Sequence, residues 1–134
     1  MKSSRLFRLG LFCALLAFVS ACSTPPTTAA GFKASAQKKF DKGNYEGAVA
    51  DFSQSIALAA TDDIEVYYLR GRARESSGDV DGAIADFSKV IALDPSNAEA
   101  YNDRGFARES KGDLEGAAVD LNKAAELKLQ QSGR

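Results

Sequence analysis

The thiols are the first candidates for chemistry in this 134-residue chain. There are two, Cys13 and Cys22. Such a side chain serves as a nucleophile, as half of a disulfide or as a point of covalent attachment. The usual supporting residues are missing. The chain contains no histidine, and so lacks the commonest general base and metal ligand, and it contains no tryptophan. No P-loop or phosphate-cradling glycine run occurs. Carboxylates are plentiful but fall at turns and on exposed helix faces, where solvation accounts for them. No catalytic, metal or cofactor constellation assembles from these residues. An enzyme built only from Ser, Lys, Asp and Glu remains the remote alternative. With 17 basic against 18 acidic residues and no basic cluster in the body of the chain, nucleic-acid binding lacks its electrostatic footprint.

The setting of Cys22 narrows its role. Lys2, Arg5 and Arg8 open the chain with no acidic residue among them, and an apolar run extends from Leu9 to Val19. This matches a secretory signal, and the run is too short for a stable bilayer-spanning helix. Val19-Ser20-Ala21-Cys22 then resembles the bacterial lipobox, in which an aliphatic residue and two small ones precede the cysteine. The resemblance implies removal of residues 1–21, a diacylglyceryl thioether on Cys22 and acylation of the new terminus (palmitate being a typical acyl group). Two or three acyl chains hold a protein on a membrane, whereas one does so only marginally. Cys13 would leave with the signal, so no internal disulfide is expected. Ser23 stands where many inner-membrane lipoproteins carry aspartate, so the expected address is the outer membrane, facing the periplasm. Residues 22–30, with adjacent Pro25 and Pro26, read as a lipidated cysteine on an extended tether.

Beyond this tether the chain repeats itself. Phe40 to Leu58, Glu75 to Leu93 and Glu109 to Leu127 align, and Gly43, Gly78 and Gly112 recur at spacings of 35 and 34. Helical periodicity runs through each copy, with no strand-like alternation. Expected helices span roughly 31–42, 45–59, 63–77, 80–93, 97–111 and 114–129. Glycine stops and Asn or Asp N-caps separate them at Gly43-Asn44, Gly78-Asp79 and Gly112-Asp113.

The pattern resembles the tetratricopeptide (TPR) repeat. In the second copy the signature positions are Tyr67, Gly71, Ala83, Phe87, Val90 and Pro95. The third has Tyr101, Gly105, Ala117, Leu121 and Ala124, and the first Phe32, Ala36, Ala48, Phe52 and Ser55; both lack the proline. The resemblance implies an all-α fold of three helix-turn-helix repeats (about 29–63, 64–97 and 98–129) stacked as a short right-handed superhelix, an α-solenoid, with a tail over 130–134. Gly71 and Gly105 then allow close helix approach, while Phe52, Phe87 and Leu121 fill the space between pairs. Three repeats are about the minimum for a stable stack. With no seventh helix evident, Val119 and Leu127 are expected to lie partly uncovered, as a stability liability or an association surface.

A concave groove from the first helix of each pair is also implied. It holds Lys33, Gln37 and Phe40 in the first repeat, Glu65, Tyr68, Arg72 and Glu75 in the second, and Glu99, Asn102, Phe106 and Glu109 in the third. Tyr and Arg are over-represented among residues that carry interface energy, although a merely solvated surface would look the same. Asp51, Asp86 and Asp120 recur with Arg70 and Arg104, each arginine pairing either within its repeat or with the preceding one, a pattern better explained by repeating structural ion pairs than by ligand binding. The expectation is a non-enzymatic, membrane-anchored scaffold of the cell envelope that binds an envelope protein or peptide. The alternative is a structural module that associates weakly with itself through uncapped repeat ends.

Overall fold

The computed structural model describes residues 26–133, so the signal, the lipobox and Cys22 lie outside the described residues. Six helices occur in order: α1 (Ala29–Asp41), α2 (Tyr45–Leu58), α3 (Ile64–Ser77), α4 (Val80–Leu93), α5 (Ala98–Ser110) and α6 (Leu114–Ser132). No strand occurs among the described residues.

Local chemistry sets the helix ends. Gly78 takes a left-handed conformation, φ 88°, that a side chain would strain; its equivalents Gly43 and Gly112 do the same at 75° and 83°. The next residue then caps the second helix of the pair. Asn44, Asp79 and Asp113 each accept a hydrogen bond from the backbone N–H of the glycine three residues on, at 3.0 Å. The first helices start in the same way, with Thr28, Asp63 and Asn97 as N-caps.

Each helix packs chiefly on its neighbours in sequence, producing a one-dimensional stack. Ala48, Ala83 and Ala117 are buried, as are Phe52 and Phe87. Around Phe52 the first two repeats share a core with Ala36, Val66 and Ala73, against which Phe40, Val49, Ile56 and Leu69 pack. Gly71 lies flat against the Phe87 ring, where an added Cβ would stand 2.8 Å from a ring carbon. At Gly105, in the corresponding place, an added Cβ would stand 2.9 Å from Leu121 Cγ.

Three expectations change. The first helix begins at Ala29, inside the expected tether, because the Thr28 side chain caps it. α6 continues through Ser132, so most of the expected tail is helical; Leu129 stands where the second repeat has its chain-turning Pro95. Leu127 is buried at 7% exposure, on the stripe with Ala117, Asp120 and Ala124 that faces α5. Val119 is 63% exposed, but Ala50 and Ala85 are not enclosed at the same position of the earlier repeats either. Its exposure therefore belongs to the outer surface of every repeat and does not mark the end of the stack.

Candidate functional site

The deepest polar feature is an ion-pair ladder between the two helices of each repeat. Arg70 grips Asp86 with two parallel hydrogen bonds, 2.9 Å from Nε and 2.7 Å from Nη2. Arg74 adds a third at 2.9 Å. Arg104 and Arg108 hold Asp120 in the same manner, at 2.8, 2.7 and 2.8 Å. Asp86 and Asp120 are 3% and 1% exposed, so desolvation would be costly without this full coordination. Each leading arginine also spans the repeat boundary: Arg70 Nη1 donates to Ser53 Oγ at 3.1 Å, and Arg104 Nη1 to Ser88 Oγ at 3.0 Å. In the first repeat Ser35 and Lys39 take the arginine places and bind Asp51 at 2.6 and 2.7 Å. Burial raises the Asp51 carboxyl pKa, and these two partners outweigh that and hold it below its ordinary value. The ladder is architecture: the arginines saturate Asp86 and Asp120 from within the fold.

The other face of α1, α3 and α5 is where the expected groove residues fall. The Arg72 guanidinium lies 5.7 Å from the Phe40 ring centroid, bridging α3 to α1. Tyr68 bridges α3 to α5, its hydroxyl donating to Asp103 Oδ2 at 2.7 Å while its ring rests 5.9 Å from that of Phe87. Burial, and then the bond to Asp103, push its phenol far above the ordinary range. Asn102 donates to the other Asp103 oxygen at 3.3 Å. Phe106, a turn further along α5, is 50% exposed.

Lys33 and Gln37 of α1 make polar pairs of their own. Lys33 binds Asp63 and Glu65 at 3.0 and 2.5 Å, and Gln37 donates to Asp41 within its own helix. Lys33 also borders a cleft of about 660 Å³ lined by Ala29, Ile56, Ala59 and Tyr67. Sequence reasoning did not find this cleft. Its signal was the spacing of 35 instead of 34, since the link from α2 to α3 is one residue longer than that from α4 to α5. Asp103, too, was missed as a groove residue.

Charge distinguishes the α3–α5 half of this face. Glu75, Glu99, Asp103 and Glu109 project here, and none forms a salt bridge among the described residues. The cation among them is Arg72. Burial, together with the charge of Asp103, raises the Glu75 carboxyl pKa above its ordinary 4.5, against a smaller opposing pull from Arg72. A carboxyl raised on folding binds its proton more tightly in the folded state. Ionised Glu75 therefore costs stability above its folded pKa, and the cost vanishes below 4.5. Glu75→Gln is expected to melt higher than the wild type at pH 7, with the gap closing as the pH falls toward 4.5; thermal melts at several pH values measure it.

The comparisons with known proteins agree with this architecture. Residues 71–112 match the family described as TPR repeat, and residues 98–131 that described as tetratricopeptide repeat. The chain thus carries TPR repeats in an all-α helical solenoid. Among solved structures it resembles MamA at 28% identity and a TM-score of 0.75, covering 81% of this chain and 63% of that one. It therefore spans less than two thirds of MamA. The first TPR of Spaghetti (RPAP3), bound to the HSP90 peptide SRMEEVD, is 26% identical with a TM-score of 0.69, covering 75% of this chain and 79% of that one. The Arabidopsis OM64 TPR domain is 26% identical with a TM-score of 0.71, covering 77% and 84%. No curated protein matches the sequence.

Proposed function

We propose that this chain is a non-enzymatic interaction module that holds a cationic segment of an envelope protein along its α1–α3–α5 face, anchored to a membrane through lipidated Cys22. One observation carries the binding reading: half-exposed Phe106 shares α5 with Glu99, Asp103 and Glu109, and Glu75 on α3 feels the charge of Asp103, all four being carboxylates without a salt-bridge partner among the described residues. An extended segment with lysine or arginine on either side of an apolar residue would satisfy both features. The TPR of Spaghetti gives a precedent for peptide binding, but its ligand, SRMEEVD, is acidic. Here such a peptide would meet like charge. The lipobox-like Val19 to Cys22 supports the anchor, and Ser23 the outer membrane.

A photo-cross-linker at Phe106 in living cells tests the face. Glu75→Lys with Glu109→Lys should abolish the adduct, and in vitro a Lys/Arg-bearing peptide should bind while SRMEEVD does not. An adduct indifferent to charge reversal, or preference for the acidic peptide, would refute the reading. For the anchor, Cys22→Ser should move the protein from the membrane to the soluble fraction or leave it unprocessed; normal cleavage with unchanged membrane attachment would rule lipidation out.

A further inference from the structure

The repeats differ most in what covers the second helix of each pair. On α2, Tyr45, Val49, Ser53 and Ile56 lie along one side and are all half-buried; on α4 their equivalents Val80, Ile84, Ser88 and Ile91 are half-buried too. The same positions of α6 are Leu114, Ala118, Asn122 and Ala125, and all four are exposed, Leu114 to 67%. Between them Leu121 is half-buried, whereas Phe52 and Phe87 are completely enclosed. This side of α6 thus continues an interface that the chain builds twice internally. Serine marks its centre on α2 and α4, receiving Arg70 and Arg104 from the next helix. On α6 the residue there is Asn122, whose amide oxygen is an acceptor of the same kind.

The chain also displays what such a side accepts. α3 and α5 bury a small or apolar residue and an alanine seven positions on, with a partly covered arginine between them: Val66, Arg70 and Ala73, then Ala100, Arg104 and Ala107. A second copy of this chain does not offer that pattern on a free helix, because α3 and α5 use theirs inside the stack. Its α1 has Gly31, Ser35 and Lys38 at these places; Ser35 is held by Asp51, and Lys38 would have to be buried without a partner.

We infer that the open side of α6 is a docking surface for an α-helix of another protein, one that presents a small or apolar residue, arginine four positions on and alanine three beyond, with the arginine directed to Asn122. This surface is separate from the α1–α3–α5 face, and the inference does not depend on the function proposed for that face.

The probe is a fluorescent peptide copying residues 63–78 of this chain, with capped termini and its helix locked by a side-chain bridge on the outward side. Fluorescence anisotropy against the purified chain should show saturable binding. Ala118→Asp or Leu121→Asp in the protein, or Arg70→Glu in the peptide, should weaken it by at least about tenfold. Val119→Asp in the protein, which lies off this side, should leave it unchanged. Ala118 is exposed, so its variant retains the fold if Leu121→Asp does not, and circular dichroism verifies both. Binding no tighter than that of a scrambled peptide up to about 1 mM would overturn the inference, as would equal loss in Val119→Asp. Concentration-dependent dimers of the chain removed by Ala118→Asp would also overturn it, by making a second copy the occupant.

Discussion

Asp86→Ala is expected to remove a large share of the protein's stability, about 3–5 kcal/mol. Arg70 and Arg74 place three charge-assisted hydrogen bonds on a carboxylate that is 3% exposed, and removing it strands two guanidinium groups that are themselves mostly covered. Breaking a buried pair from one side costs about 3–5 kcal/mol. Domains of this kind have roughly 5–15 kcal/mol in total, and a stack of three repeats has few interfaces with which to absorb the loss. Urea denaturation monitored by circular dichroism gives the measurement. Replacing the whole cluster, Asp86→Leu with Arg70→Met and Arg74→Leu, should recover much of the stability, because no orphaned charge remains. A triple variant as unstable as Asp86→Ala would show that the cluster acts through shape and not through charge. Asp51→Ala should cost less, since Lys39 is 38% exposed and water can replace its lost partner.

Phe87→Ala should be comparably damaging, by a different route. Phe87 is wholly buried, with one side of its ring on Gly71 and Tyr68 nearby. Truncation at such a site leaves a cavity and typically costs about 3–5 kcal/mol. Leu121→Ala, at the same position of the last repeat, should cost clearly less, because Leu121 is only half-buried and its surroundings can relax. The difference between the two denaturation midpoints measures how far α6 lacks the cover that α5 gives α4. Equal losses would mean that the end of the stack is as well packed as its middle.

Much of this architecture is local and was therefore readable along the chain. A glycine that must adopt positive φ, with Asn or Asp directly after it to cap the next helix, announces a helix pair wherever it occurs, as at Gly43-Asn44, Gly78-Asp79 and Gly112-Asp113. Helix ends came out within a few residues, the misses falling where a side-chain cap or a missing proline extended the helix. The recurrence of Asp86 and Asp120 with arginines was visible too, but the sequence left open whether each pair forms within a repeat or across repeats. The structure answers that both geometries are used at once: the carboxylate lies within the repeat and the serine in the preceding one. Arg74 and Arg108, second arms of the same clasp, carried no signal apart from their spacing.

The groove residues illustrate the division. The TPR resemblance put Lys33, Gln37, Tyr68, Arg72, Asn102 and Phe106 in a groove on the first helices of the repeats. Spacing could not say that Lys33 would be taken up by Asp63 and Glu65, or that Asp103 would join Tyr68. By itself the sequence determined the repeat, the helix pairs and their glycine stops, the absence of histidine chemistry and the thiol at Cys22, because each of these is written in adjacent residues or in a fixed period. Only the tertiary structure decided which carboxylates keep an ionic partner, and which side of α6 stays bare, among the described residues. Both depend on what a neighbouring helix brings, and Leu127 and Leu129, two residues apart, end up 7% and 73% exposed for that reason.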